Sequence, residues 1–193
     1  MANFKLNSVT VASESGGTVS LDSGVNLTSL AGPKFPAGHI VQIVSKDFGT
    51  NYTHSGGGSG VWSAVSGFTT AITPSSSSNK ILVMLHIGGC SNSNSSEHFG
   101  VRVKRGSTVI GVHDSPGSRS IAMTTHSTPG AGNRVETMSG NILDSPNTTS
   151  AITYFVEGYS AGESFYMNRP SSDSSSSHYL AGTSTLILME VVA

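Results

Sequence analysis

AGTSTLILMEVVA, residues 181–193, closes the chain with one of its most apolar runs. A terminus loses order unless its residues are tied into the fold, so a run of this kind has to be held. Side chains of a strand alternate between faces. Alternation sends Thr185, Ile187, Met189 and Val191 to one side and Leu186, Leu188, Glu190 and Val192 to the other. Both sides are largely apolar, so the strand is expected to be buried, or covered by another subunit.

Working outward, the same period of two recurs along the chain. Candidate strands are 4–12, 18–22, 39–47, 61–73, 80–89, 99–106, 107–114, 119–126, 135–144, 151–159 and 164–169, separated by turn-forming stretches such as TPSSSSN, DSPGS, STPGAGN and DSPNTT. No window sustains the spacing of an amphipathic helix. In KILVMLHI the residues Ile81, Val83, Leu85 and Ile87 share one face and Leu82, Met84 and His86 the other, which predicts a central strand covered on both sides. FGVRVKRG alternates cleanly: Phe99, Val101 and Val103 point inward, Arg102 and Lys104 outward. Its run through Arg105 and Gly106 into STVIGV signals a hairpin. Short, evenly spaced strands predict an all-β fold, an antiparallel β-sandwich or jelly-roll-like domain with a short extended N-terminal arm.

The boundary is placed at AGPKFPAG, residues 31–38, where Pro33 and Pro36 interrupt any strand ladder. Residues 1–35 are then an attachment arm and 36–193 the sandwich domain. The arm has little to bury, and two short strands are unstable alone, so it is expected to be ordered by another chain or a larger assembly.

Composition narrows the function. Only 11% of residues are charged, against roughly 25% in ordinary soluble domains. The net charge of -1 offers no general attraction to a polyanion, and apart from Arg102, Lys104 and Arg105 the cations are scattered, so nucleic acid is not an expected partner. No export signal opens the chain and no apolar run is long enough for a membrane-spanning helix, so no membrane insertion is expected. A single cysteine, Cys90, excludes an intramolecular disulfide framework and a multi-thiolate metal site. It reads as a small apolar residue at a strand end.

Chemical motifs are sparse. The seven histidines, 39, 54, 86, 98, 113, 126 and 178, form no metal-ligand spacing. GGGSGV at 56–61 fails the nucleophile-elbow pattern. Ser77 to Lys80 matches S-x-x-K only within a serine run, and His113 and Asp114 face opposite ways on a strand. The sequence marks no glycosidase pair among its carboxylates, and the sequons at Asn26, Asn51, Asn94 and Asn147 carry no weight in so Asn/Ser/Thr-rich a chain. No residue is assigned as catalytic, cofactor-binding or metal-ligating, and no cofactor is expected. Aromatic residues beside loops are the stronger lead: Tyr52 and His54 precede GGGSG, Trp62 follows it, and Phe165, Tyr166 and Tyr179 flank RPSSDSSSSH. A ring so placed can stack on a sugar or a partner side chain. Trp62 reads first as a sandwich-core residue, with the binding surface as the other reading.

The order FPAGHIVQIV, WSAVSGFTTAITPSSSSNKILVM, VRVKRGSTVI, LDSPNTTSAITYFV, MNR and STLILMEV resembles a β-rich module recurrent in virion structural proteins of marine tailed phages (cyanophage- and pelagiphage-like), as in tail fibres and capsid-surface appendages. The resemblance covers about 39–193, and ITPSSSSNKILVM and LDSPNTTSAITYF are its most specific parts. It implies a non-enzymatic virion structural protein on the virion surface, assembled in the host cytoplasm, trimeric, and docked by its arm on the major capsid protein or another virion protein. Only residues 1–35 precede the module, which disfavours a long tail fibre and favours a capsid decoration or head-fibre protein of the cement type. The alternative is a short tail-fibre or tail-tip protein that recognises a host surface glycan. A free carbohydrate-binding module would need a secretion signal, and a glycan-cleaving depolymerase a carboxylate pair in a groove.

Overall fold

Fourteen strands and no helix occupy the described residues of the computed structural model, which are 2–6, 9–15, 18–21, 35–55, 61–92, 98–111, 113–114, 117–127, 135–172 and 177–193. The chain divides into two units, Met1–Pro36 and Ala37–Ala193. In the first, β1 (Ala2–Leu6), β2 (Val9–Ser15) and β3 (Thr18–Leu21) form an antiparallel sheet in that order. The arm is therefore a small folded-back sheet. The single strand expected over 4–12 is two paired strands, with Leu6 opposite Val9. The polar pair Asn7 and Ser8 separates the alternation of Phe4 and Leu6 from that of Val9 and Val11.

The second unit is an antiparallel sandwich of two sheets. One holds β6 (Trp62–Ile72), β8 (Phe99–Arg105), β9 (Thr108–Val109), β10 (Thr124–His126) and β12 (Ile152–Ser160), ordered β10-β8-β12-β6 with β9 also paired to β8. The other holds β4 (Ile40–Phe48), β5 (Tyr52–His54), β7 (Lys80–Asn92), β11 (Glu136–Asp144), β13 (Phe165–Met167) and β14 (Ser184–Val191), ordered β4-β14-β7-β13-β5 with β11 also on β7. Ile81 to His86 pair with both β14 and β11, and Cys90 pairs with both β11 and β13. Hence β11 lies along one edge of β7, and β14 followed by β13 along the other.

The inner faces supply one core. Val65, Phe68 and Ile72 of β6, Val101 and Val103 of β8 and Tyr154 and Val156 of β12 meet Ile81, Val83, Leu85 and Ile87 of β7 and Leu186 and Leu188 of β14. Each such aliphatic side chain contributes about 1.5–3 kcal/mol on burial. The terminal run is thus held by two ladders, to β4 and β7, with Leu186 and Leu188 fully buried. The hairpin at Arg105 forms with Arg105 opposite Thr108. Its second strand is shorter than expected: Ile110 still donates its N–H to Val103 O at 3.1 Å, but Gly111 turns away with φ +67.

Three buried polar anchors tie sequence-distant segments together. Asp144 accepts from Tyr154 Oη at 2.7 Å and from Arg105 Nε at 2.7 Å, joining β11, β12 and β8. Asn168, fully buried with φ 65, donates Nδ2–H to the carbonyls of Phe48 at 2.7 Å and Thr50 at 3.0 Å and accepts from Ser184 Oγ at 2.6 Å. Glu190 Oε1 accepts from Ser75 N, Ser75 Oγ and Asn79 Nδ2, each at 2.7 Å.

Candidate functional site

The outer faces of the two sheets carry exposed apolar and half-buried aromatic side chains. On the β4-β14-β7-β11 face, cross-strand partners line up in rows. One row is wholly apolar, running Ile43, Met189, Leu82, Leu143. The next runs Ser45, Ile187, Met84, Asn141, and the third Asp47, Thr185, His86, Ser139. Ile43 is 59% exposed, Leu143 47% and Met84 37%. A shallow recess of about 360 Å3 opens between Met84, His86, Asn141 and Ile187. The expectation that β7 is covered on both sides holds for only one side within this chain: Ile81, Val83, Leu85 and Ile87 are buried, while Met84 and His86 are exposed and Leu82 is half-buried. The alternation of KILVMLHI is apolar on both faces, but only one face meets the opposite sheet.

The outer face of the β8-β12-β6 sheet is different. Its rows are Lys104, Phe155, Thr69; then Arg102, Glu157, Ala64; then Gly100, Tyr159, Trp62. Arg102 and Lys104 do point outward, as their alternation predicts, yet both are half-buried. Arg102 holds Glu157 through Nε at 2.7 Å and a terminal nitrogen at 2.6 Å, and Lys104 Nζ lies 3.6 Å from the same carboxylate. Their carbon stems and cationic heads cover flanking rings: the Arg102 guanidinium sits 4.1 Å from the Trp62 ring centre and Lys104 Nζ 5.5 Å from that of Phe155.

Trp62 is not a core residue. Counting back by twos from the buried Ile72 and Phe68 would turn it inward, but β6 is bulged. Thr69 pairs with Phe155 and Ala64 with Glu157, leaving residues 65–68 opposite Val156 alone. Gly67 takes φ 80 within the bulge, Val65 and Phe68 both enter the core, and the parity of everything before them reverses. Trp62 therefore emerges on the outer face beside its partner Tyr159, ring centres 5.1 Å apart and planes at 36°. Their rings line a recess of about 560 Å3 whose rim carries His98, Arg119, Ser120 and Thr125. The segment that forms its far wall is fixed to the sheet by Met123 N–H donating to Val101 O at 2.9 Å.

The other aromatic candidates are dispersed. Tyr52 and His54 lie on β5, a strand missed because three residues beside a glycine run carry almost no periodicity. His54 is buried, its ring stacked 4.9 Å from that of Phe165, with Nδ1 3.2 Å from Ser63 Oγ. Burial holds its pKa below the usual value, so it is a neutral core ring. Burial likewise raises the Tyr52 hydroxyl, a shift that the hydrogen bond to Ser63 partly offsets. Phe165 is fully buried, and Tyr166 is half-buried under the Arg169 guanidinium at 4.4 Å. Tyr179 is half-buried beside exposed Leu180. Residues 56–60 and 173–176, and the sequons at Asn26 and Asn94, lie outside the described residues.

Ser77 to Lys80 forms the turn into β7 and no catalytic arrangement. Cys90 sits within β7, wholly buried, donating to Glu136 O at 3.1 Å. Burial, then the Glu136 charge, pushes its pKa up to about 12, which leaves the thiol inert. Among the described residues no three His, Cys, Asp or Glu side chains converge as metal ligands. His126 Nε2 lies 2.8 Å from Glu136 Oε2, outside the alignment of a hydrogen bond.

No family model matches the chain, and no curated protein is significantly similar to it. Among solved structures, one of infectious bursal disease virus (Gx strain) is similar with a TM-score of 0.39 and 13% identity, covering 79% of this chain and 37% of that one. The chain thus spans little more than a third of that neighbour, and at this level the likeness carries no functional argument.

Proposed function

We propose that this chain is a non-enzymatic structural protein of a tailed-phage virion, a homotrimeric capsid-surface decoration or head-fibre protein of the cement type, anchored by its N-terminal arm. The observation that supports it is the open apolar row Ile43, Met189, Leu82, Leu143, which crosses four strands on the outer face of the sheet. Apolar surface removed from water is worth about 25 cal/mol per Å2, and a continuous patch of this kind marks an interface on a soluble protein. Copies of the same chain are the partners that every subunit meets at equal abundance, and closed symmetry limits the assembly to a few subunits.

A structural role also accounts for four of the eleven acidic side chains. Asp144, Glu157, Glu190 and Glu136 are engaged by Arg105 and Tyr154, by Arg102 and Lys104, by Ser75 and Asn79, and by His126. They act as anchors between strands. The arm, with its three short strands, is suited to docking on the major capsid protein or another virion protein by strand addition at a sheet edge.

The test is the mass in solution and the place on the particle. Light scattering should give three copies of the 19.8 kDa chain, and Ile43→Lys combined with Leu143→Lys should give folded monomers. A wild-type monomer at every concentration would sink the self-association reading. Quantitative mass spectrometry of purified particles should find the chain at an abundance comparable with the major capsid protein. A few copies per particle would instead favour the second reading, a short tail-fibre or tail-tip receptor-binding protein, which the Trp62 recess supports.

A further inference from the structure

We infer that the recess at Trp62 and Tyr159 is a saccharide-binding site that takes a pyranose ring of a surface glycan. It deepens the receptor-binding reading and rests on that reading only for its biological use.

An outward tryptophan on a sheet face is costly in exposed apolar surface, and here the strand is bulged so that this residue comes out while Val65 and Phe68 go in. Once outside, the ring is fixed. Arg102 lies over it at 4.1 Å and is itself locked to buried Glu157, and Tyr159 abuts it from the neighbouring strand. A platform whose rotamers are held by an ion pair and a neighbouring ring loses little entropy when a ligand arrives.

The chemistry of the lining then selects the ligand. Two adjacent half-buried aromatic rings suit the axial C–H face of a pyranose, which buries apolar surface against a ring while its hydroxyls remain free. Ser118, Ser120, Thr125, His98 and Arg119 line the same recess, residue types that donate to and accept from sugar hydroxyls. Large aliphatic side chains are absent from the described lining, so a lipid or an amphipathic helix has little to bury against. The volume, about 560 Å3, falls in the range of small-molecule sites, roughly 300–1,000 Å3, and holds one or two rings. No carboxylate occurs in the described lining, so the recess binds a glycosidic bond without the acid and base that cleave one.

The chain contains one tryptophan, so its fluorescence reports on this site alone. The full-length protein is titrated with the methyl glycosides of glucose, galactose, mannose and N-acetylglucosamine while tryptophan emission is followed. At least one sugar should produce a saturable change, with apparent affinity falling about tenfold in Tyr159→Ala, the size of one lost aromatic contact, and no saturation in Ser120→Phe, which blocks the rim from an exposed position. Thermal melts check that both variants fold; if Tyr159→Ala does not, Ser120→Phe decides. No saturable change with any of the four sugars up to about 100 mM, beyond the weak affinity expected of a single ring, overturns the site. So does a change that survives Ser120→Phe. Adsorption of particles to host cells is measured in parallel: binding of sugar with adsorption unaffected by Ser120→Phe supports the site and retires the receptor role.

Discussion

Glu190 shows how one residue can hold a terminal strand to a distant turn. It is 1% exposed, and its Oε1 accepts from Ser75 N, Ser75 Oγ and Asn79 Nδ2. Burial alone would raise its pKa, but these hydrogen bonds, with the backbone at Ser76, outweigh it and the net shift is downward from 4.5. A carboxylate with a depressed folded pKa stabilises the fold above its unfolded pKa, and that stability is lost as pH falls through the folded value. Denaturant unfolding should therefore show a stability loss below about pH 4.5 that is blunted in Glu190→Gln. Glu190→Ala leaves the buried Asn79 Nδ2 and the two more exposed Ser75 donors without their acceptor and should cost about 2 kcal/mol at neutral pH. Cys90 gives a second check at this scale. With its thiol buried and its pKa near 12, it should react with a thiol-specific disulfide reagent only as fast as the chain unfolds. Rapid labelling of the native protein would contradict the packing of β7.

At the scale of the elements, the bulge of β6 and the approach of the chain to β7 decide more than strand propensity does. Gly67 has room for a side chain, since an added Cβ would meet only Phe48 Cε2 at 3.9 Å, but its φ of 80 disfavours any. Gly67→Ala should cost about 1–2 kcal/mol through backbone strain alone, read as a lower denaturation midpoint. Gly88 is the opposite case. A Cβ there would lie 2.1 Å from Thr183 O, backbone that cannot give way. Gly88→Ala should therefore lose about 3 kcal/mol, the upper end of what overpacking costs, and a near-native melting temperature would refute the close approach of Thr183 to β7.

At the scale of the whole molecule, two compact units share one chain, Met1–Pro36 and Ala37–Ala193. The buried core residues of the sandwich all lie between Phe48 and Leu188. A chain of residues 37–193 should therefore fold and melt within a few degrees of the full-length protein, measured by circular dichroism. If the arm is the anchor, that shortened chain should keep its oligomeric state and fail to attach to particles. Loss of folding on removal of the arm would mean that the arm completes the sandwich core.

The all-β sandwich was legible in the residues alone, because alternation and turn chemistry are local: Ile81, Val83, Leu85 and Ile87 share a face whatever they pack against, and TPSSSSN and DSPNTT are turn-forming. The sequence also determined that the terminal run had to be held. What it left open were matters of pairing. Whether the second apolar face of β7 is covered, whether 4–12 is one strand or two, and whether Trp62 points in or out depend on which strands become neighbours and where one of them bulges. Glu190, Asn168 and Asp144 looked like ordinary polar residues in strands and turns, because their partners lie 10 to 120 positions away. Those came from the tertiary fold, since a hydrogen bond between distant residues, or a parity reversal made by three extra residues in a bulge of four opposite one, leaves no periodic trace in the chain.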